Sequence, residues 1–146
     1  MLRAEHGGPS FAPHLTLLSG LTASDLAART AELAATIAPI EVRVTRASWG
    51  ARWFQCVYLL AARAPGLLAA RSAACAALGG SPTASFLPHI SLLYGELPVA
   101  TRADICQRLT PLPPGFVARE LVLVNTVGPA EQWTEMGRYP LTGPAR

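Results

Sequence analysis

The sequence predicts an α+β fold made of two similar lobes. One observation is a repeated phrase, because residues 11–20 read FAPHLTLLSG and residues 86–95 read FLPHISLLYG. A second is the order of elements, since segments with strand and helix periods follow one another as βαββα and then βαββ. We therefore expect two pseudo-symmetric lobes, each a small antiparallel sheet with helices on its outer face. A cleft between the lobes would carry both repeated phrases.

Five elements are predicted in the first half of the chain. Ser24 is a suitable N-cap for a helix that Pro39 stops. Alternating apolar and polar residues then indicate a half-buried strand, and a segment rich in aromatic and β-branched residues follows it. The elements are a strand at 13–18, a helix at 24–37, two strands at 41–48 and 52–60 that form a hairpin, and a helix at 65–78.

Four more elements are predicted in the second half. The second copy of the phrase is a strand, and the helix after it ends at a proline-rich segment. A long apolar segment then precedes the Gly128-Pro129 turn, beyond which a last strand is expected. The elements are a strand at 88–94, a helix at 100–109 and strands at 116–126 and 131–139.

Length and composition predict one domain over residues 1–146, with flexible ends at 1–10 and 140–146. No apolar segment reaches the ~20 residues that a membrane span needs. The first residues also lack the apolar core of a secretory signal. We therefore expect a cytoplasmic protein without a membrane partner.

The charge pattern favours a small anionic ligand over long nucleic acid. The net charge is +3, and arginine supplies every basic side chain because the sequence has no lysine. No run of basic residues is present, whereas a groove for DNA or long RNA would need clustered positive charge. Ordinary composition is the alternative explanation of the mild positive charge. We expect no DNA partner and a monomeric protein.

The three cysteines are expected to be reduced thiols with a packing role. Cys56, Cys75 and Cys106 are widely separated, and no CxxC motif is present. We expect no zinc site and no cofactor.

The repeated phrase brings two kinds of reactive group together. Residues i and i+2 of a strand project from one face, so His14 lies with Thr16 and His89 lies with Ser91. Hydrolysis of a phosphodiester needs a base for water and an acid for the leaving oxygen, and imidazole, with an ordinary pKa near ~6.5, can serve as either. The hydroxyls can donate hydrogen bonds to the phosphate oxygens. Which histidine is the base stays open, and no metal is required.

Two other roles for the histidines stay open at this point. Each could be structural, for example by bonding a backbone carbonyl in a duplicated hairpin. The pair could instead bind a metal, although two imidazoles without a nearby carboxylate or thiolate make a poor site.

At these residues the chain resembles the two-histidine (2H) phosphoesterase superfamily, whose signature is a repeated His-x-Thr/Ser-aliphatic motif. HLTL at 14–17 and HISL at 89–92 both match it. Within the superfamily, WFQCVYLL at 53–60 and PHISLLYG at 88–95 are similar to the cyclic phosphodiesterase branch of plants and fungi. That branch opens ADP-ribose 1″,2″-cyclic phosphate and nucleoside 2′,3′-cyclic phosphates.

The resemblance implies a role for five side chains. His14 and His89 take the paired acid and base places, and by analogy His89 is the base toward water and His14 the acid. Thr16 and Ser91 take the phosphate-binding places. Tyr94 matches an aromatic that helps to bind phosphate or substrate, and Ser19 stands at its place in the first phrase.

Weaker candidates surround these motifs. Trp49 and Trp53 could stack on a nucleobase or could pack a lobe. Tyr58 and Phe54 would project from the same face of the predicted strand and could line the cleft. Several arginines could meet a second phosphate or could be ordinary solvated residues, namely Arg43, Arg46 and Arg52.

Three functions are compatible with the sequence. The first is a metal-independent cyclic phosphodiesterase that acts on a small nucleotide. The second is an RNA-end 2′,3′-cyclic phosphodiesterase similar to the 2′-5′ RNA ligase branch, with short RNA ends as partners. The third is a nucleotide-binding module that holds phosphate without turnover.

Overall fold

A computed structural model describes residues 2–81 and 85–145 and confirms the α+β class. Within these ranges, no helix is long and apolar enough to cross a membrane. Short 3₁₀ turns lie at Trp53–Gln55 and Ala130–Gln132. The helices are Leu2–His6 (α1), Leu26–Thr36 (α2), Pro65–Leu78 (α3) and Val99–Arg108 (α4), and the strands are Ile40–Trp49 (β1), Val57–Ala61 (β2), His89–Leu93 (β3), Gly115–Ala118 (β4), Glu120–Asn125 (β5) and Thr134–Pro140 (β6).

The chain divides into two compact units that do not coincide with the two halves of the sequence. The first unit takes Met1–Thr16, Arg43–Ala62 and Leu87–Gly115, and the second takes Leu17–Val42, Arg63–Phe86 and Phe116–Arg146. Both histidines of the repeated phrase therefore belong to the first unit. The cleft that we expect between two lobes stays a prediction.

One sheet has four strands in the order β3-β2-β1-β4, and its strands β2 and β3 and the part of β1 from Arg43 onward belong to the first unit. β1 pairs antiparallel with β2, which confirms the predicted hairpin, and β2 pairs antiparallel with β3. The apolar core of this unit contains Cys56, Val57, Leu93 and Ile105, with Leu2 of α1 packed against it. Burial of these side chains from β2, β3 and α4 holds the helices of the unit to its sheet.

A β-bulge in β3 determines which side chains of that strand project from each face of the sheet. Val57 pairs with Leu93 and Tyr58 pairs with Ser91, so one extra residue of β3 lies between the two pairs. The bulge turns the strand at this point, and Leu93 can join Val57 in the core. His89 and Ser91 then project from the opposite face, together with Tyr58.

The second unit packs α2 and α3 together with a two-stranded antiparallel sheet of β5 and β6. Leu33, Ala74 and Leu78 form its core, against which Leu121 of β5 also packs. Residues near the end of the chain were expected to be flexible. In the structure Leu141 is buried, and the next two backbone N–H groups donate to carbonyls at the end of α2.

Most predicted elements are confirmed, but four of the predicted strands differ from the structure. The segment at 13–18 is not a strand, since only Leu15 forms a bridge, and Pro13 has no N–H to donate to a ladder. Most of the first half of the predicted strand at 52–60 is a 3₁₀ turn, closed by a hydrogen bond from Gln55 N to Arg52 O. The predicted strand at 116–126 is two strands that belong to different sheets, and the one at 131–139 starts at Thr134.

All three cysteines are free thiols, as expected. Cys56 and Cys75 are buried, and Cys106 is half-buried. Burial raises the pKa of both the Cys56 and the Cys106 thiols above the ordinary value. Both thiols therefore stay protonated near neutral pH and act as small apolar residues.

Replacement of Gly8 by alanine should destabilise the first unit. Gly8 has φ +98°, and a Cβ there would lie 2.6 Å from the Tyr94 carbonyl oxygen. Left-handed backbone alone costs an L-residue about 1–2 kcal/mol, and the close contact adds to that cost. We expect Gly8→Ala to lower the melting temperature in circular dichroism by several degrees.

Gly7→Ala is the matched control for this prediction. Gly7 also has positive φ, at +75°, but a Cβ added there would meet nothing within 4 Å. Gly7→Ala should therefore lower the melting temperature by less. Equal melting temperatures for the two variants would show that the close approach of Gly8 to the Tyr94 carbonyl oxygen does not contribute to stability.

Candidate active site

The two histidine motifs lie side by side in the first unit. Leu15 and Ile90, the middle residues of HLT and HIS, form an antiparallel bridge. The bridge is isolated; a pairing extended from it by one residue in each direction would set His14 opposite Ser91 and Thr16 opposite His89. Directly opposed side chains of such a pair lie about 5 Å apart and on one face. We therefore expect each imidazole to lie near the hydroxyl of the other motif.

The two imidazoles are oriented by the same hydrogen bond. Nδ1 of His14 lies 2.7 Å from the carbonyl oxygen of Ala12, and Nδ1 of His89 lies 2.8 Å from that of Leu87. A carbonyl oxygen only accepts, so Nδ1 must be the protonated nitrogen of each neutral ring. This leaves Nε2 as the nitrogen that can accept a proton.

These hydrogen bonds match the structural role that the sequence left open for the histidines. That role and a catalytic role are compatible, because the backbone bond occupies only Nδ1. Orientation of a reactive imidazole by a bond from its other nitrogen is a general feature of histidine sites. The structure therefore supplies both the orientation and a usable Nε2.

The two hydroxyls have different surroundings. Ser91 is buried, and its hydroxyl donates to the carbonyl oxygen of Phe54 at 3.0 Å. Thr16 is exposed, and its hydroxyl makes no hydrogen bond to the residues that the structure describes. Thr16 is therefore available to a ligand as it stands, whereas Ser91 has to exchange the Phe54 carbonyl for a ligand oxygen.

Tyr94 is held beside Ser91 in a group of aromatic rings. Its ring stacks on Phe11 at a centroid distance of 4.0 Å, and the rings of Phe54 and Trp53 lie at 5.3 and 5.4 Å. Burial raises the pKa of the Tyr94 hydroxyl, and the hydrogen bond with Ser91 acts in the opposite direction. The hydroxyl therefore stays neutral near pH 7.

The structure separates the two tryptophans that the sequence singled out. Trp53 is partly exposed and contacts the Tyr94 ring. Trp49 follows Ser48 on β1 and projects from the other face of the sheet, where the Arg102 guanidinium lies 5.3 Å from its ring centroid. Arg102 also donates to the carbonyl oxygen of Gly50. Only Trp53 is therefore brought to the motifs.

Tyr58 lies next to the second motif on the same face of the sheet. It pairs with Ser91 across β2 and β3, and its ring makes an edge contact with His89 at a centroid distance of 5.4 Å. Tyr58 and Phe54 were predicted to project from the same face of one strand, but Phe54 lies in the 3₁₀ turn and not in a strand. Phe54 reaches the site through Tyr94 and through its carbonyl oxygen instead.

Sequence reasoning missed two residues that support the motifs. Phe11 stacks on Tyr94 and makes an edge contact with His14 at 6.1 Å, and the recurrence of phenylalanine at the head of both phrases was the available signal. In the second unit, Arg71 donates to the carbonyl oxygen of Leu17 at 2.6 Å and lies over the ring of Phe86. These two contacts hold chain positions that flank the motifs, and no local pattern marks Arg71.

The donor set of the site is imidazole and hydroxyl. In the part of the chain that the structure describes, no three His, Cys, Asp or Glu side chains lie together as a metal site. The chemistry that the described residues offer is proton transfer at two Nε2 atoms and hydrogen-bond donation from hydroxyls.

Comparisons with known proteins agree with the resemblance seen in the sequence. The family model of the 2′-5′ RNA ligase superfamily matches residues 2–130. A cyclic phosphodiesterase of Arabidopsis thaliana is 37% identical over 98 residues, which cover 66% of this chain and 54% of that protein. The match thus spans about half of the length of this relative.

A solved structure shares the fold. The crystal structure of TT0787 of Thermus thermophilus has a TM-score of 0.57 and 20% sequence identity, and the similarity covers 91% of this chain and 80% of that one. The family match extends over most of the chain and includes both histidine motifs. The chain therefore belongs to the 2′-5′ RNA ligase superfamily, the two-histidine phosphoesterases whose signature the repeated phrase carries.

Proposed function

We propose that the protein is a cyclic phosphodiesterase that opens the cyclic phosphate of a small nucleotide by two-histidine acid–base catalysis. The observation that supports this proposal is the bridge between Leu15 and Ile90, which joins the two histidine motifs at their middle residues. The name of the Arabidopsis thaliana relative supports the same activity. The proposed substrates are ADP-ribose 1″,2″-cyclic phosphate and nucleoside 2′,3′-cyclic phosphates.

The proposed reaction uses the two Nε2 atoms in opposite protonation states. Neutral His89 takes a proton from water as the water oxygen forms a bond to phosphorus. Protonated His14 gives its proton to the ribose oxygen as the bond from phosphorus to that oxygen breaks. Each proton transfer contributes on the order of 10²–10⁴ in rate. The assignment of base and acid follows the resemblance, and the repeat of the motif allows the reverse.

The hydroxyls would stabilise the phosphate during this reaction. Thr16 donates to one non-bridging oxygen, and Ser91 turns from the Phe54 carbonyl to another. Tyr94 keeps Ser91 in place through their hydrogen bond. Donors directed at the developing charge stabilise the transition state more than the substrate.

The exposed faces of Trp53 and Phe54 are the proposed place for the nucleobase. Both rings lie against Tyr94, and 36% and 49% of their respective surfaces are exposed. Stacking of a base on an aromatic side chain contributes about 1–3 kcal/mol. Trp49 lies on the other face of the sheet and has no part in this proposal.

A second candidate is hydrolysis of 2′,3′-cyclic phosphate at RNA ends. The name of the superfamily, with its 2′-5′ RNA ligases, favours it. The same four motif residues would act, so the site does not separate the two candidates. A length series of oligonucleotides ending in cyclic phosphate does, because a strong preference for longer RNA would favour the second.

Removal of either motif histidine should abolish most turnover. We expect wild-type protein to open nucleoside 2′,3′-cyclic phosphates or ADP-ribose 1″,2″-cyclic phosphate in EDTA, with a bell-shaped dependence of the rate on pH. His14→Ala and His89→Ala should each lower kcat by at least ~10²-fold, since each removes one proton-transfer role. Product formation is measured by chromatography.

His6→Ala is the matched control, because His6 is the remaining histidine of the chain and lies in α1. It should retain wild-type kcat. An inactive wild-type protein that still binds the nucleotides would instead indicate the binding module. Retained turnover in either motif variant would contradict the acid–base roles.

Loss of the Tyr94 hydroxyl should slow the reaction without unfolding the site. Tyr94→Phe keeps the stacking on Phe11 but removes the hydrogen bond to Ser91. We expect kcat to fall roughly tenfold, less than the ~10²–10³ for a direct oxyanion donor, because Tyr94 acts through Ser91. Tyr139→Phe in β6 is the control, and an equal loss in both variants would refute the role of Tyr94.

A further inference from the structure

One arginine lies in register with the second histidine on the face of the sheet that carries it. β1 pairs with β2 so that Arg46 is opposite Leu60, and β2 pairs with β3 so that Leu60 is opposite His89. Directly opposed residues of an antiparallel sheet project from one face. The register shift between β1 and β2 lies between Val44 and Arg46, next to this row, and the shift between β2 and β3 lies at Val57 and Tyr58. Arg46, Leu60 and His89 therefore form one row across the sheet of the first unit.

The row sets the distance between the arginine and the histidine. Neighbouring strands lie about 4.8 Å apart, so the Cα atoms of Arg46 and His89 are ~10 Å apart. Leu60 between them is apolar and buried, and it offers no group that competes for an anion. A ligand at His89 that extends across Leu60 would reach the Arg46 guanidinium.

The Arg46 guanidinium is available to such a ligand. Its side chain is exposed, and it forms no ion pair or hydrogen bond with any residue in the described ranges. Most other described arginines are engaged with protein oxygens: Arg3, Arg63, Arg71 and Arg102 donate to backbone carbonyls, and Arg29, Arg108 and Arg138 pair with carboxylates.

We propose that Arg46 binds a second phosphate of the substrate, carried by the 5-oxygen of the ribose whose cyclic phosphate lies at the histidines. The guanidinium is always charged and matches phosphate geometry with two parallel hydrogen bonds. The cyclic ester occupies one edge of the ribose, so the 5-oxygen is the substituent that extends away from it. This inference rests on the proposed function and narrows its substrates to ribose cyclic phosphates that are also 5-phosphorylated.

Three kinds of substrate share this chemistry. They are a nucleoside 2′,3′-cyclic phosphate with a 5′-phosphate, ADP-ribose 1″,2″-cyclic phosphate with its diphosphate, and an RNA end whose last ribose carries a phosphodiester at its 5′-oxygen. The small nucleotides are favoured, because no run of basic residues accompanies Arg46 along the chain.

The test compares adenosine 2′,3′-cyclic phosphate with and without a 5′-phosphate. Wild-type protein should have the lower KM for the 5′-phosphorylated substrate. Arg46→Ala should raise that KM roughly tenfold, the factor expected for one lost charge-assisted hydrogen bond, with kcat within about twofold. The KM of the substrate without the 5′-phosphate should stay within about twofold. Arg119→Ala removes the same charge from an exposed position in the second unit and should change neither KM.

Two further substrates identify the source of the second phosphate. ADP-ribose 1″,2″-cyclic phosphate and a dinucleotide ending in 2′,3′-cyclic phosphate are assayed with the same variants. A larger effect of Arg46→Ala on the ADP-ribose derivative supports the small-nucleotide assignment. A larger effect on the dinucleotide overturns that preference in favour of RNA ends.

A binding measurement separates this inference from the proposed function. Calorimetry of adenosine 2′-phosphate and adenosine 2′,5′-bisphosphate needs no turnover. If neither cyclic substrate is opened but the bisphosphate binds more tightly and Arg46→Ala removes the difference, the proposed function fails and the Arg46 site stands. If wild type shows no preference for the 5′-phosphate in either assay, or if Arg119→Ala removes it equally, the Arg46 site is refuted.

Discussion

The antiparallel bridge between Leu15 and Ile90 is the contact on which the rest of the candidate site depends. A strand has a side-chain period of two, so a slip of one residue would turn His14 and Thr16 to the other face. The register of the bridge, extended by one residue on each side, would instead bring both motifs to one face as a crossed set. The two copies of the sequence repeat thus meet at their middle residues.

The arrangement is symmetric at the histidines and asymmetric around them. Both rings use Nδ1 for a carbonyl two residues earlier in the chain. Only the second motif is followed by a tyrosine, and only its hydroxyl is buried and bonded to the 3₁₀ turn at Trp53–Gln55. A symmetric pair of imidazoles suits a reaction in which one proton is taken and another given. The asymmetric surroundings are what can give the two imidazoles different tasks.

Patterns within one element allowed much of the fold to be predicted. Helix α3 begins at Pro65 and ends at Leu78 before the glycine pair, as its start and stop signals indicated. The hairpin of β1 and β2 and the strand β3 also follow from local periods. The candidate motif residues were found because the chain repeats them, and the repeat is visible without any structure.

Long-range contacts explain what the sequence could not show. The apolar segment at 116–126 looks like one strand, yet its two parts pair with different partners, β4 in the sheet with β1 and β5 with β6. Trp49 and Trp53 look equivalent in the sequence, but the 3₁₀ turn between β1 and β2 sends them to different neighbours. Arg71 supports the chain beside both motifs through contacts with residues far from it in sequence.

The central claim is that Nε2 of both imidazoles is free to accept a proton. The most direct test is to measure which nitrogen of each ring carries the proton. The measurement is a long-range ¹H–¹⁵N correlation spectrum of protein labelled with ¹⁵N-histidine, recorded at a pH where the rings are neutral, with His14→Ala and His89→Ala for assignment. The account predicts that both rings carry their proton on Nδ1, with Nε2 unprotonated. A proton on Nε2 of either ring would contradict it, because the nitrogen that has to accept a proton would already hold one.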